Sequence, residues 1–135
     1  MFWVTAKEAQ VAKKYPVRMD QYGKVVKLLA SVERARPDGG GTGKWDCIVI
    51  QFRMPFNPTF EEAAIALEAY RLKEGELFSF SGNLHTNTDP NTGNFYASVS
   101  GKEIDTSHKA DVVEYLKNWV SACEEKPIMK EAVAV

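Results

Sequence analysis

A tryptophan set among cations is the strongest chemical signal in this sequence. Trp45 directly follows Lys44, and Arg34 and Arg36 lie just upstream, across a glycine-rich connection. An indole face stacks on any nucleobase, contributing about 1–3 kcal/mol per base, and neighbouring cations neutralise phosphates and release counterions. The run Asp38-Gly39-Gly40-Gly41-Thr42-Gly43-Lys44 invites a phosphate-loop reading. That motif needs Gly, four residues, then Gly-Lys-Ser/Thr opening a helix, and here Asp38 and Trp45 stand at its two ends. His85 and His108 are the only histidines, and neither has a partner at metal-ligand spacing. A solvated or hydrogen-bonded role suits each better. No serine stands in a Gly-x-Ser-x-Gly setting, and neither Cys47 nor Cys123 has a nearby activating histidine. The expectation is a binding protein and not an enzyme, with no metal and no cofactor.

The elements that must position these residues are mostly strands. Phe2 to about Val11 is rich in Val, Thr and aromatics and reads as a strand, with Tyr15-Pro16-Val17 and Tyr22-Gly23 as breaks. Lys24 to about Ala35 alternates with period two: Val26, Leu28, Ala30 and Val32 share one face, and Val25, Lys27, Leu29, Ser31 and Glu33 the other. Pro37 to Gly43 is too glycine-rich for regular structure. Trp45 to Arg53 is the next strand, with Asp46, Ile48, Ile50 and Phe52 on one face and Trp45, Cys47, Val49 and Gln51 on the other. These two strands form a long antiparallel hairpin with Trp45 facing outward.

A helix follows, capped by Asn57, with Pro58 in its first turn, Glu61 and Glu62 at its positive end and Gly75 as its C-terminal glycine. Ala63, Ala66, Leu67 and Tyr70 give it an apolar face. Leu77 to Thr86 alternates again, with Phe78 and Phe80 as core. A turn at Asp89–Asn94 leads to a returning strand from Phe95 to about Ser100. A last helix runs from Thr106 or Ser107 to about Glu125, with Val112, Leu116, Trp119 and Cys123 in one stripe and Pro127 as its stop. Five strands with a helix between the third and fourth is the order of an oligonucleotide/oligosaccharide-binding (OB) barrel, mainly β, here with a C-terminal amphipathic helix. Residues 1–104 would form the barrel and 105–135 the helix and tail.

At 135 residues the chain fits one domain, and 44% hydrophobic with 26% charged residues is ordinary globular composition. No apolar run reaches membrane-spanning length, and the N-terminus lacks signal-peptide character. Two distant cysteines fit a reducing compartment, so a cytoplasmic protein, nucleoid-associated if it binds DNA, is expected. The net charge of −1 hides an asymmetry. Residues 1–60 hold ten basic and five acidic groups, and residues 61–135 hold seven and thirteen. One basic and one acidic face can result.

Several short stretches together resemble the bacterial-type single-stranded DNA-binding proteins. Lys73-Glu74-Gly75 followed by Gly82-Asn83-Leu84-His85-Thr86 looks like the family's fourth-strand signature, a Lys-Gly element and then Gly-x-Leu-x-Thr. Trp45 to Phe52 resembles its third strand, and Thr92-Gly93-Asn94-Phe95-Tyr96 its last hairpin. The match covers about residues 3–104. The resemblance implies a homo-oligomer, dimer or tetramer, that binds single-stranded DNA in replication, with RNA as the other strand the same chemistry admits. Trp45 would be a stacking tryptophan, and Lys27, Arg34, Arg36, Lys44 and Arg53 would contact phosphate. His85 stands where the family commonly has a basic residue. Arg36 replaces a second stacking tryptophan. Asn87-Thr88-Asp89 lacks the family's hairpin aromatic, and the partner-recruiting acidic tail is missing. These departures keep an alternative open, an OB-fold protein-interaction or assembly subunit with little nucleic-acid affinity. The near-neutral charge favours that alternative; the basic N-terminal half and the signature favour single-strand binding.

Overall fold

In the computed structural model, which describes residues 2–124 and side chains as far as Ser121, strands alternate with two helices. The order is β1 (Phe2–Lys14), β2 (Arg18–Asp20), β3 (Gly23–Ala35), β4 (Gly41–Pro55), α1 (Phe60–Arg71), β5 (Leu77–Thr88), β6 (Phe95–Asp105) and α2 (Lys109–Glu124). β1 pairs with both β3 and β5, β5 with β6, β6 with β4, and β4 with β3, so five strands close on themselves. Every pairing is antiparallel except β4–β6. This is a five-stranded OB barrel with a helix between its third and fourth strands, as the element order predicts. The short β2, in a stretch read as a break, adds to β3 alone.

Closure is achieved by bending β1. Between Ala6 and Ala9 it carries one residue more than its partner β5, and between Val11 and Lys13 one more than β3. Such bulges bend a strand and increase its twist. Glu8, in the first bulge, takes φ 55°, a left-handed conformation uncommon outside glycine. The core is a set of registered rows. Leu28, Ile50, Val99 and Leu84 lie side by side across β3, β4, β6 and β5, and the first three are fully buried. Phe52, completely buried, lies against the backbone of β6 at Gly101, where a Cβ would stand inside its ring.

Several predicted boundaries move. α1 is capped by Thr59 and not Asn57. The Thr59 hydroxyl accepts from the Glu62 amide at 3.1 Å, and the Glu62 carboxylate accepts from the Thr59 amide at 3.0 Å. This reciprocal capping box satisfies two orphan donors that Asn57, two residues earlier, does not reach. The helix ends at Leu72, and Gly75 (φ 91°) belongs to the following turn, where its amide donates to the Val11 carbonyl at 2.8 Å. Gly41–Gly43 lie inside β4, where the absence of a Cβ at Gly41 leaves room for the Glu33 side chain. Tyr70 is 51% exposed and is not core, because Ile65, Ala69 and Leu72 form the face of α1 that packs on the barrel.

α2 is held at its start. Thr106 Oγ1 donates to Glu68 Oε1 at 2.9 Å and accepts from the His108 amide at 3.0 Å, while His108 Nε2 meets the Glu76 carboxylate at 2.9 Å. Val112 is fully buried and Leu116 half-buried, but Trp119 is exposed. The predicted stripe is therefore buried only in its first half; the Cys123 side chain, Pro127 and the tail lie outside the described residues.

Two outcomes follow from this packing. A Cβ on Gly82 would overlap the Ser100 carbonyl of β6. Gly82→Ala should therefore cost more than about 1 kcal/mol of stability in urea unfolding, beyond the usual gain from removing a glycine. Burial raises the carboxyl pKa of Glu68, with the Thr106 hydrogen bond opposing it. A raised acid pKa means the folded state holds the proton more tightly, so this group's contribution falls as pH rises through and above the usual carboxylate range. Glu68→Gln should gain stability relative to the parent as pH rises above the usual carboxylate range, read by urea unfolding at a series of pH values.

Candidate nucleic-acid interface

Register fixes what the barrel shows to the outside. Side chains alternate along a strand, and registered partners share a face. Because Leu28, Ile50 and Val99 point inward, Leu29, Val49, Ser98 and His85 form an outward row across β3, β4, β6 and β5. The adjacent outward row is Lys27, Gln51, Ser100, Asn83 and Trp3. Trp45, 47% exposed, sits opposite Glu33 on this outer surface, with Cys47 next to it on the same face of β4. Cys47 is exposed, with its Sγ 3.7 Å from Ser31 Oγ.

Of the seven residues singled out, Trp45, Lys27 and Arg53 share the outer face of the β3–β4 hairpin. His85 is on the same outer surface, two strands or about 10 Å of sheet away from β4. Arg34 and Lys44 have the opposite parity. Arg34 forks onto Asp46 with Nε and Nη2 at 2.8–2.9 Å, on the other side of the hairpin from Trp45. This hydrogen bonding holds the Asp46 carboxyl below the usual range and pushes the Arg34 guanidinium higher. Arg36 is at the hairpin tip, where its amide donates to the Gly40 carbonyl at 2.7 Å. Lys44 and Arg34, both on the opposite face of the hairpin, therefore do not surround Trp45.

Other residues take their place. The Tyr15 amide donates to the Lys27 carbonyl at 3.1 Å, which brings the Tyr15 ring beside β3. Lys27 Nζ lies 4.7 Å and Lys13 Nζ 4.9 Å from the centre of that ring. Arg53 lies 5.6 Å from the Tyr22 ring and donates to Asp20 Oδ2 at 2.5 Å. The Asp20 carboxyl is held below the usual range chiefly by this bond, with help from the Tyr22 amide. The face thus runs from Trp45 past Cys47, Val49 and Gln51 to a cluster of tyrosines and cations at its far end. Tyr15 and Tyr22 stand in stretches that read as loop breaks, and no local pattern in the sequence marks either for a role. The last hairpin is not without aromatics: Tyr96 stands opposite Asn87 and Phe95 opposite Thr88, and both are exposed.

His108 is a structural histidine bound to Glu76, and no cluster of three metal-ligating side chains occurs among the described residues. No helix among them is long and apolar enough to cross a membrane.

A closed five-stranded barrel with an outward face of aromatic and cationic side chains belongs to the OB class. No protein-family model matches the sequence. No curated protein matches it. Among solved structures the chain is similar to the crystal structure of a small single-stranded DNA-binding protein from Streptomyces coelicolor. The TM-score is 0.53 at 14% identity, over 78% of this chain and 94% of that one. At that identity the likeness is one of fold.

The geometry at Cys47 is directly measurable. In a Cys123→Ser background, a maleimide should label Cys47 promptly in the native protein, with unchanged circular dichroism. Labelling only after denaturation would contradict its outward placement.

Proposed function

We propose that this chain binds single-stranded DNA with little sequence preference, along the outer face of β3 and β4, and that its role is binding and not catalysis. The observation that carries the reading is Trp45, outward on the same face as the Tyr15–Lys27–Lys13 cluster, in a barrel of the kind seen in the Streptomyces coelicolor protein. Trp45 and Tyr15 offer stacking faces at two ends, and Lys27, Lys13 and Arg53 offer charge between and beyond them. From Trp45 to Arg53 the strand spans about 26 Å at 3.3 Å per residue, room for a short run of nucleotides. Stacking needs no base identity, so discrimination among sequences is weak. RNA satisfies the same contacts and is the comparison strand in the test. Exposed Tyr115 and Trp119 on α2 support a homo-oligomer as the assembled form.

A second reading has its own support. Arg34 and Arg53 are both engaged by carboxylates, and the whole chain is close to neutral, which fits a protein-interaction or assembly subunit.

Anisotropy of labelled oligo-dT, titrated at low and then moderate salt, decides between them. The single-strand reading expects saturable binding with a log–log salt slope of about −2, as three phosphate contacts would give. Trp45→Ala should cost about 1–3 kcal/mol of binding with the fold intact. Oligo-dT should also protect Cys47 from maleimide. Absence of binding at micromolar protein and low salt would leave the second reading, and unchanged affinity in Trp45→Ala would remove Trp45 from the site.

A further inference from the structure

We propose that a trough between β2 and the two helices is a docking site for an extended segment of a partner protein in which apolar side chains alternate with carboxylates. The trough holds about 480 Å³. Met19 lines it from β2 and Val17 from just before that strand, Met54 from the end of β4, Leu67 and Tyr70 from α1, and Leu116 from α2. Among the described residues, Arg18 and Lys24 are the charged members of its lining, and no carboxylate takes part in it.

Size alone fits a small molecule as well as a peptide, since ligand sites run about 300–1,000 Å³. Exposure separates the two. Met19 is 63% exposed, Tyr70 51% and Val17 41%. Walls this open do not take an alkyl chain out of water, but they do accept side chains from a segment lying across them. Met19 and Met54 are unbranched and adapt to different apolar shapes. The backbone supplies a second half of the site. Among the described residues β2 pairs with β3 alone, so its other edge offers amides and carbonyls that an added strand can satisfy. Alternation follows from that mode, because an added strand turns every second side chain toward the trough.

Charge sets the partner's sign. Arg18 and Lys24 belong to the lining, and a third cation, Lys14, lies with its Nζ 4.7 Å from the centre of the Tyr70 ring and donates to the Tyr70 carbonyl. Three cations on one apolar trough disfavour a basic peptide and steer an acidic one. Met19, Lys24 and Met54 form one row of inward parity, off the outer face of β3 and β4, whereas Arg18 is registered with Val25 and Arg53 at the end of that face, far along the strand from Trp45.

The test uses a fluorescein-labelled hexapeptide alternating aspartate and leucine, and a control with lysine for aspartate, titrated with the full chain. The acidic peptide should bind saturably at one per chain and the basic one should not. Arg18→Glu combined with Lys24→Glu should weaken the acidic peptide about tenfold or more and transfer preference to the basic one. Ala63→Trp should fill the trough and abolish binding, with Leu67→Gln as a second variant should the tryptophan prevent folding by circular dichroism. Oligo-dT affinity should stay within about twofold in Lys24→Glu alone, because Lys24 has the opposite parity to that surface. Equal binding of both peptides, or binding untouched by the trough variants, overturns the proposal. So does tighter one-to-one binding of dodecanoate that displaces the peptide. A concentration-dependent dimer broken by Met19→Glu would assign the trough to a second copy of the chain and overturn it as well.

Discussion

Closing five strands into a barrel requires β1 to pair on both edges, and the two bulges that let it do so govern the rest of the molecule. With β1 bent, β3 and β5 are brought round to a common core, and the row Leu28, Ile50, Val99 and Leu84 is registered across four strands. Alternation then leaves no freedom on the outside. A slip of one residue would place Ile50 and Phe52 in water and Trp45 in the core, so burial of those side chains indirectly holds the candidate interface in place. Two glycines mark where this packing is tightest. Gly82 lets β5 approach the carbonyl of Ser100, and Gly101 lets β6 receive the Phe52 ring. Gly82 is also the glycine of the Gly-x-Leu-x-Thr stretch, which gives that signature a packing reason independent of any ligand.

The electrostatics of the outer face are moderate. Arg53 is engaged by Asp20, and Glu33 stands opposite Trp45. Lys13 and Lys27, both beside the Tyr15 ring, keep their charge accessible while burying part of their stems against it. Such a surface suits reversible binding in which stacking contributes as much as charge. A strongly basic groove would hold a strand more tightly and exchange it more slowly. The chain's near-zero net charge is consistent with that balance.

The two proposed surfaces occupy different parts of the barrel. The nucleic-acid face uses the outward residues of β3 and β4, whereas the peptide trough uses β2, the inward-parity residues at the ends of β3 and β4, and the helices. α1 links them mechanically: its Ala69 and Leu72 pack on the core, while its Leu67 and Tyr70 line the trough. The Glu68–Thr106 and Glu76–His108 contacts set where α2 begins, and so where Leu116 meets the trough.

What depends on local period and local chemistry is legible in the order of residues alone. Alternation in Lys24–Ala35 and Trp45–Arg53 separated core from surface, the order of elements specified the barrel, and the outward position of Trp45 follows from counting. Counting also separates Lys44 and Arg34 from Trp45, since adjacent strand residues face opposite ways. Proximity in sequence had suggested that these cations surround it. Tertiary structure alone decided the contacts between residues far apart in the chain. Tyr15 beside Lys27, Tyr70 on the wall of a trough instead of in the core, and His108 against Glu76 all arise from strand closure and helix docking. Patterns of two and 3.6 residues record which side of an element is apolar. They do not record which other element comes to lie against it, because that choice is made by the summed burial of the whole core.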